Sequence, residues 1–159
     1  MLLALLVAGG VLIASVLSYA VATALIVYLV VRLIRTGYTG LGFWKNVGIM
    51  LIVTLVTGTA HLTQIALWAM AFLMVGAISD FGTAFYYSAE NYTALGYGDV
   101  VLSGTWRLLG PLEAINGLLL FGLSTGVMFA VMSRLITNRL HRQQMDPLGE
   151  AVAYRGNVR

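Results

Sequence analysis

Charge is scarce in this sequence. Only 9% of its 159 residues are Asp, Glu, Lys or Arg, against about 25% in a typical globular protein, while 60% are apolar. That balance excludes a soluble domain of this size. Cysteine is absent altogether, which rules out disulfides and cysteine-based zinc sites. Two histidines and six acidic residues are scattered along the chain and form no recognisable metal motif. No nucleophile stands beside a base in a recognisable arrangement, so the chain is not expected to be an enzyme. No cofactor and no small-molecule substrate are expected either. The net charge of +3 is small and its basic residues form no compact cluster, which argues against nucleic acid as a partner.

What the chain does have is long apolar runs. Residues 2–31 carry no charge, and about 20 such residues cross a bilayer. A cleavable signal peptide would need a basic start and a shorter apolar core, so positions 1–35 are read as a transmembrane helix. Ala14, Ser18 and Ala22 form a small-residue stripe suited to close packing. Without repeated arginine, this helix is no voltage sensor of the usual kind. Arg32, Arg35 and Lys45 bracket a glycine-rich loop over 36–45, expected on the cytoplasmic side. A second span is expected over 46–79, with Thr54, Thr57, His61, Gln64 and Trp68 on one polar face turned toward protein. His61 is a candidate proton sensor. Asp80 is placed to cap a short helix over 81–93, too short to cross a membrane. The last span is expected over 107–137, with Pro111 near its first turn and Glu113 inside the apolar run as a second candidate modulatory group. A short cytoplasmic tail is expected over 138–159, disordered or only briefly helical beyond Gln143. Eight of the nine basic residues then lie inside and only Arg107 outside, which puts the N-terminus outside and the C-terminus in the cytoplasm.

Between the short helix and the last span lies Thr93-Ala94-Leu95-Gly96-Tyr97-Gly98-Asp99. A cation crossing a membrane must exchange its water shell for other oxygens, and backbone carbonyls serve if they all face one way. A regular strand alternates them. A run mixing left- and right-handed residues does not, and glycine adopts both at little steric cost. Gly96 and Gly98, two apart, are spaced for that conformation. The helix dipole of the short helix would turn its negative end toward a cation at this point.

These residues resemble the potassium-channel signature Thr-x-Gly-Tyr-Gly-Asp. The resemblance runs from Tyr86-Tyr87 through Glu90 to Phe121-Gly122. It implies an all-α membrane protein with three transmembrane helices, a re-entrant pore helix, and a filter loop over 94–99 between the second and third spans. It also implies a homotetramer in membrane lipid that conducts K+ passively. Thr93, Ala94, Leu95, Gly96, Tyr97 and Gly98 would bind the ion. Glu90 and Asp99 would couple behind the filter, and Tyr86, Tyr87 and Tyr92 would form an aromatic cuff around it. Gly117 matches the gating hinge, and Leu118, Phe121, Thr125, Phe129 and Met132 match the face that lines the inner cavity and gate. The signature has threonine where this chain has Ala94, which removes a hydroxyl from the innermost ion site. Two other readings remain: a weakly selective monovalent cation channel, and a non-conducting membrane assembly subunit.

Overall fold

The computed structural model describes residues 1–36 and 43–156, with positions 139 and 141–156 as backbone only. The loop expected over 36–45 therefore lies, from 37 to 42, outside the described residues, as does the end of the tail. Four α-helices follow one another: α1 (Leu2–Arg35), α2 (Phe43–Met74), α3 (Phe81–Tyr92) and α4 (Leu109–Gly156). A single 3-10 turn, Gly104–Trp106, precedes α4.

Helices α1, α2 and the stretch Gly104–Asn138 are long and apolar enough to cross a membrane. At about 18 Å, α3 is not. The start of α1 packs on the end of α2, where Ala8 meets Trp68, Ala69 and Phe72. Its end packs on the start of α2 and the lower part of α4, where Ile26 and Val30 meet Ile49, Val53, Val131 and Leu135. Thus α1 and α4 run parallel and α2 antiparallel to both. Helix α3 lies between the end of α2 and the beginning of α4, with Ala84 and Tyr87 in the same cluster as Phe72 and Leu109. Only 22–33% of each span's apolar window is buried within the chain, so most of the apolar surface is left for lipid or for other copies.

Several boundaries differ from the sequence expectation. Helix α2 begins three residues earlier, at Phe43, and ends at Met74 rather than near position 79. Gly76 adopts φ +67°, and its N–H bonds the Leu73 carbonyl at 3.0 Å while the Ala77 N–H bonds the Phe72 carbonyl at 2.9 Å. This is a glycine-based helix stop that satisfies the last carbonyls. Beyond the last span the tail is not irregular: α4 continues as helix to Gly156, through Pro147. The tail is rich in good helix formers, and extending an existing helix costs far less than nucleating a new one.

The buried face of α1 also differs. It comprises Ala4, Ala8, Ser15, Tyr19, Ile26 and Val30, spaced alternately four and seven apart like a coiled-coil seam. Ala14 is exposed and Ser18 and Ala22 are only half-buried, so the expected small-residue stripe flanks the contact rather than making it. On α2, Thr57, Gln64 and Trp68 are buried and His61 is half-buried, but Thr54 is exposed. Its hydroxyl bonds back to the Met50 carbonyl at 2.9 Å, which removes the need for a protein neighbour.

Asp80 caps α3 as expected. Its carboxylate accepts the Thr83 N–H at 2.8 Å and the Thr83 hydroxyl at 3.1 Å. The Thr83 amide bond, with the hydroxyl bond second, holds the Asp80 carboxyl below its ordinary range. A carboxyl depressed in the folded state stabilises fully above its unfolded value and loses that effect as pH falls through the folded one. Amide exchange at residues 81–84, measured relative to the middle of α3, is therefore expected to be flat from neutrality to about pH 5 and to accelerate below about pH 4. In Asp80→Ala the same amides should exchange fast throughout.

Candidate functional site

Residues 93–99 leave the end of α3 and turn back along it. Ala94, Gly96 and Gly98 have φ of +56°, +57° and +77°. Leu95 and Tyr97 between them are not left-handed, so the handedness alternates residue by residue. Glycine meets this at 96 and 98 without strain. Ala94 bears the left-handed cost, smaller for alanine than for a β-branched side chain.

The amide groups show what this alternation achieves. The N–H of Ala94 bonds the Asn91 carbonyl at 2.8 Å, and the N–H groups of Leu95 and Gly96 reach the Glu90 carbonyl at 2.9 and 3.4 Å. The N–H of Tyr97 reaches Glu90 Oε1 at 3.3 Å. Four successive amides thus turn toward α3. None of the described peptide bonds is cis, and in a trans peptide the carbonyl points opposite the N–H. The carbonyls of Thr93, Ala94, Leu95 and Gly96 therefore share the side facing away from α3. The Thr93 hydroxyl does not join them; it bonds back to the Ala89 carbonyl at 2.7 Å.

Behind this row, Glu90 and Asp99 meet through a third group. The Tyr86 hydroxyl lies 3.2 Å from Glu90 Oε1 and 3.0 Å from Asp99 Oδ2. Glu90 is buried at 4% exposure, so one carboxylate ties the amide of Tyr97 to the hydroxyl of Tyr86. The three tyrosines expected to form a cuff diverge within the chain. Tyr86 turns to the carboxylates, Tyr87 packs edge-on against Phe72 at 5.0 Å, and Tyr92 is wholly buried against His61. Tyr97 is 70% exposed in one chain.

A family model described as an ion channel matches residues 49–134, just over half of the chain. The chain belongs to the ion channel family. The match covers most of α2, all of α3, the 93–99 loop and most of the apolar part of α4, and leaves α1 outside. No curated protein and no solved structure matches the chain. The channel is thus a multi-pass membrane protein with a two-helix pore domain and one further apolar helix ahead of it.

In the channel, α4 crosses the end of α3 at Gly117. A Cβ there would run into the Tyr92 carbonyl oxygen and lie 2.8 Å from its carbon. Glycine at 117 thus permits two backbones to touch, and the residue is buried rather than on the outward face expected of a cavity-side hinge. Leu118, Thr125, Phe129 and Met132 are exposed, forming a face turned away from the chain's own helices. Phe121 stands at its edge and stacks on His61 with ring centroids 4.4 Å apart.

Glu113 is fully buried and faces the side chain of Ser88 on α3. Ser88 Oγ lies 2.5 Å from Glu113 Oε1 and 2.8 Å from the Ile65 carbonyl. The one serine proton is shared between these two oxygens. His61 bonds Tyr92 and Ser124 and does not reach Glu113. Ser88, Ser124, Tyr19 and Asn116 were not singled out in the sequence. Each is a polar residue inside an apolar helix, a signal that by itself marks a protein-facing side chain but not its partner.

Gly117→Ala should force α4 off the end of α3, because every atom it meets is backbone. Overpacking of this kind costs about 1–3 kcal/mol or more. A lowered melting temperature of the purified channel is expected, whereas Gly122→Ala, with nothing within 4 Å of its added Cβ, should melt like the parent.

Proposed function

We propose that the channel conducts potassium selectively through a filter of four identical chains, each supplying the carbonyls of residues 93–98. The observation that carries this reading is the set of four successive amides, Ala94 to Tyr97, turned back to α3, which leaves their carbonyls in one row. A single row coordinates an ion from one side, and a cage that replaces a hydration shell needs several. The exposure of Leu95 (57%), Tyr97 (70%) and Val101 (70%) supports neighbours around the loop, as does the outward apolar face of α4. Leu118, Phe121, Thr125, Phe129 and Met132 then line the inner cavity, whose large apolar end closes by dewetting. With Arg32, Arg35, Lys45 and Arg134 on the cytoplasmic side, the N-terminus lies outside.

The reversal potential of the purified protein in a planar bilayer, with potassium on one side and sodium on the other, is expected near the potassium equilibrium potential. Native mass analysis is expected to show a tetramer. Clear current reversing near zero would instead establish the weakly selective reading, which the missing hydroxyl at Ala94 favours. A monomer or dimer without current would establish an assembly subunit.

Glu90 acts in this reading as the strut of the filter, since it holds Tyr97 N–H and the Tyr86 hydroxyl together. Glu90→Ala is expected to speed the decay of current several-fold; decay with an unaltered time course would remove Glu90 from that role.

A further inference from the structure

The N-terminal helix lies outside the matched channel region, yet its polar side chains reach the pore domain. Within little more than one turn, Ser15, Ser18 and Tyr19 meet three different partners. Asn116 Nδ2 donates to Ser15 Oγ at 3.1 Å, and Gln64 Nε2 donates to Ser18 Oγ at 2.8 Å. The Tyr19 hydroxyl lies 2.6 Å from Ser124 Oγ. This last contact opens a chain that crosses all four helices. Ser124 Oγ is 2.7 Å from His61 Nε2, and His61 Nδ1 is 2.8 Å from the Tyr92 hydroxyl.

Proton counting orders the chain. Ser124 donates its one proton to the Leu120 carbonyl at 2.7 Å, so it must accept from both Tyr19 O–H and His61 Nε2–H. A neutral imidazole with its proton on Nε2 has a bare Nδ1, which accepts from Tyr92 O–H. Every donor then has an acceptor. Tyr92 is where the chain ends and the carbonyl row begins: it immediately precedes Thr93, and its backbone is held from the other side by the close approach of Gly117.

We propose that Tyr19, Ser124 and His61 are positioning residues of the filter, forming a hydrogen-bonded chain through which the N-terminal helix sets the place of Tyr92 and hence of the inner carbonyls. The inference rests on the filter reading above for its effect on current, but not for its effect on structure. It gives α1 a role in the pore that the two-helix domain lacks. It also makes His61 a junction with two states. A second proton on the ring turns Nδ1 from acceptor to donor and leaves the Tyr92 proton without a partner. The groups facing the ring are Tyr19 from α1, Tyr92 from α3, and Ser124 and Phe121 from α4; Glu113 bonds Ser88 instead. Among the described residues no carboxylate bonds the ring to hold that second proton in place.

The test uses the full chain in lipid. Backbone amide signals of residues 94–97 are followed by NMR in Tyr19→Phe, with Ser18→Ala as a control that removes a neighbouring α1 hydroxyl outside the chain of bonds. The chain of bonds predicts that Tyr19→Phe moves those four amides and that Ser18→Ala leaves them in place. Unmoved amides in Tyr19→Phe overturn the proposal, as does an equal displacement in both variants. In bilayers, Tyr19→Phe and Tyr92→Phe should each change the time constant of current decay by roughly 2- to 12-fold, the effect of one lost hydrogen bond. The double variant should match the larger single effect; a product of the two overturns the coupling. Acidification from about pH 8 to 5 should shift decay in the direction of Tyr92→Phe, and should no longer do so in His61→Gln. A pH response retained by His61→Gln overturns the junction. Displaced amides in a parent that carries no current would refute conduction and leave the positioning chain standing.

Discussion

The bonds from the amides of Ala94, Leu95, Gly96 and Tyr97 to Asn91 and Glu90 are the constraint on which the rest depends. A loop packed among apolar helices must satisfy its backbone groups within the protein wherever water does not reach it. This loop satisfies its N–H groups on one helix end and so leaves its carbonyls unspent on the other side. Without alternating handedness the amides could not all face α3, and without Gly96 and Gly98 that alternation would carry a steric cost at all three of its left-handed positions, 94, 96 and 98.

The helices serve to hold the end of α3 still. Asp80 fixes its start by satisfying the Thr83 amide. Phe72 and Tyr87 pack edge to face along its side. At its end, α4 comes close enough through Gly117 to touch the Tyr92 backbone, and His61 grips the Tyr92 side chain. Buried polar groups supply specificity here because hydrophobic burial cannot, lipid being as apolar as leucine. The bonds of Ser15, Ser18 and Tyr19 to α2 and α4 belong to the same logic. They fix the rotation of a helix whose thirty uncharged residues would otherwise pack almost any face inward.

Much of this is legible in the order of the residues. Three apolar runs and one short uncharged segment define the spans and the helix too short to cross by length alone. Asp80 before a short helix reads as a cap, and the glycine spacing at 96 and 98 reads as a backbone with unusual handedness. The ends of helices are less legible. Gly76 ends α2 at Met74, short of the expected 79, and the tail past Gln143 is helical as far as Gly156 because α4 is already there to extend. The stripe Ala14–Ser18–Ala22 misleads because small residues mark where packing is allowed, not where it occurs.

Gly117 and Glu113 show where local reading stops. A glycine in a membrane helix reads equally as a hinge or as a point of close approach, and only the position of Tyr92 across from it separates the two. A carboxyl inside an apolar span signals a protein partner, but Ser88 is named only once α3 is packed against α4. The same holds for Tyr19, Ser124 and His61, drawn from three helices and more than a hundred positions of sequence. Span lengths, caps and left-handed glycines follow from the chemistry of neighbours along the chain, and so the residues alone determine them. Which polar groups meet is decided by helix rotation and crossing, set by the packing of whole faces, and no local pattern encodes it.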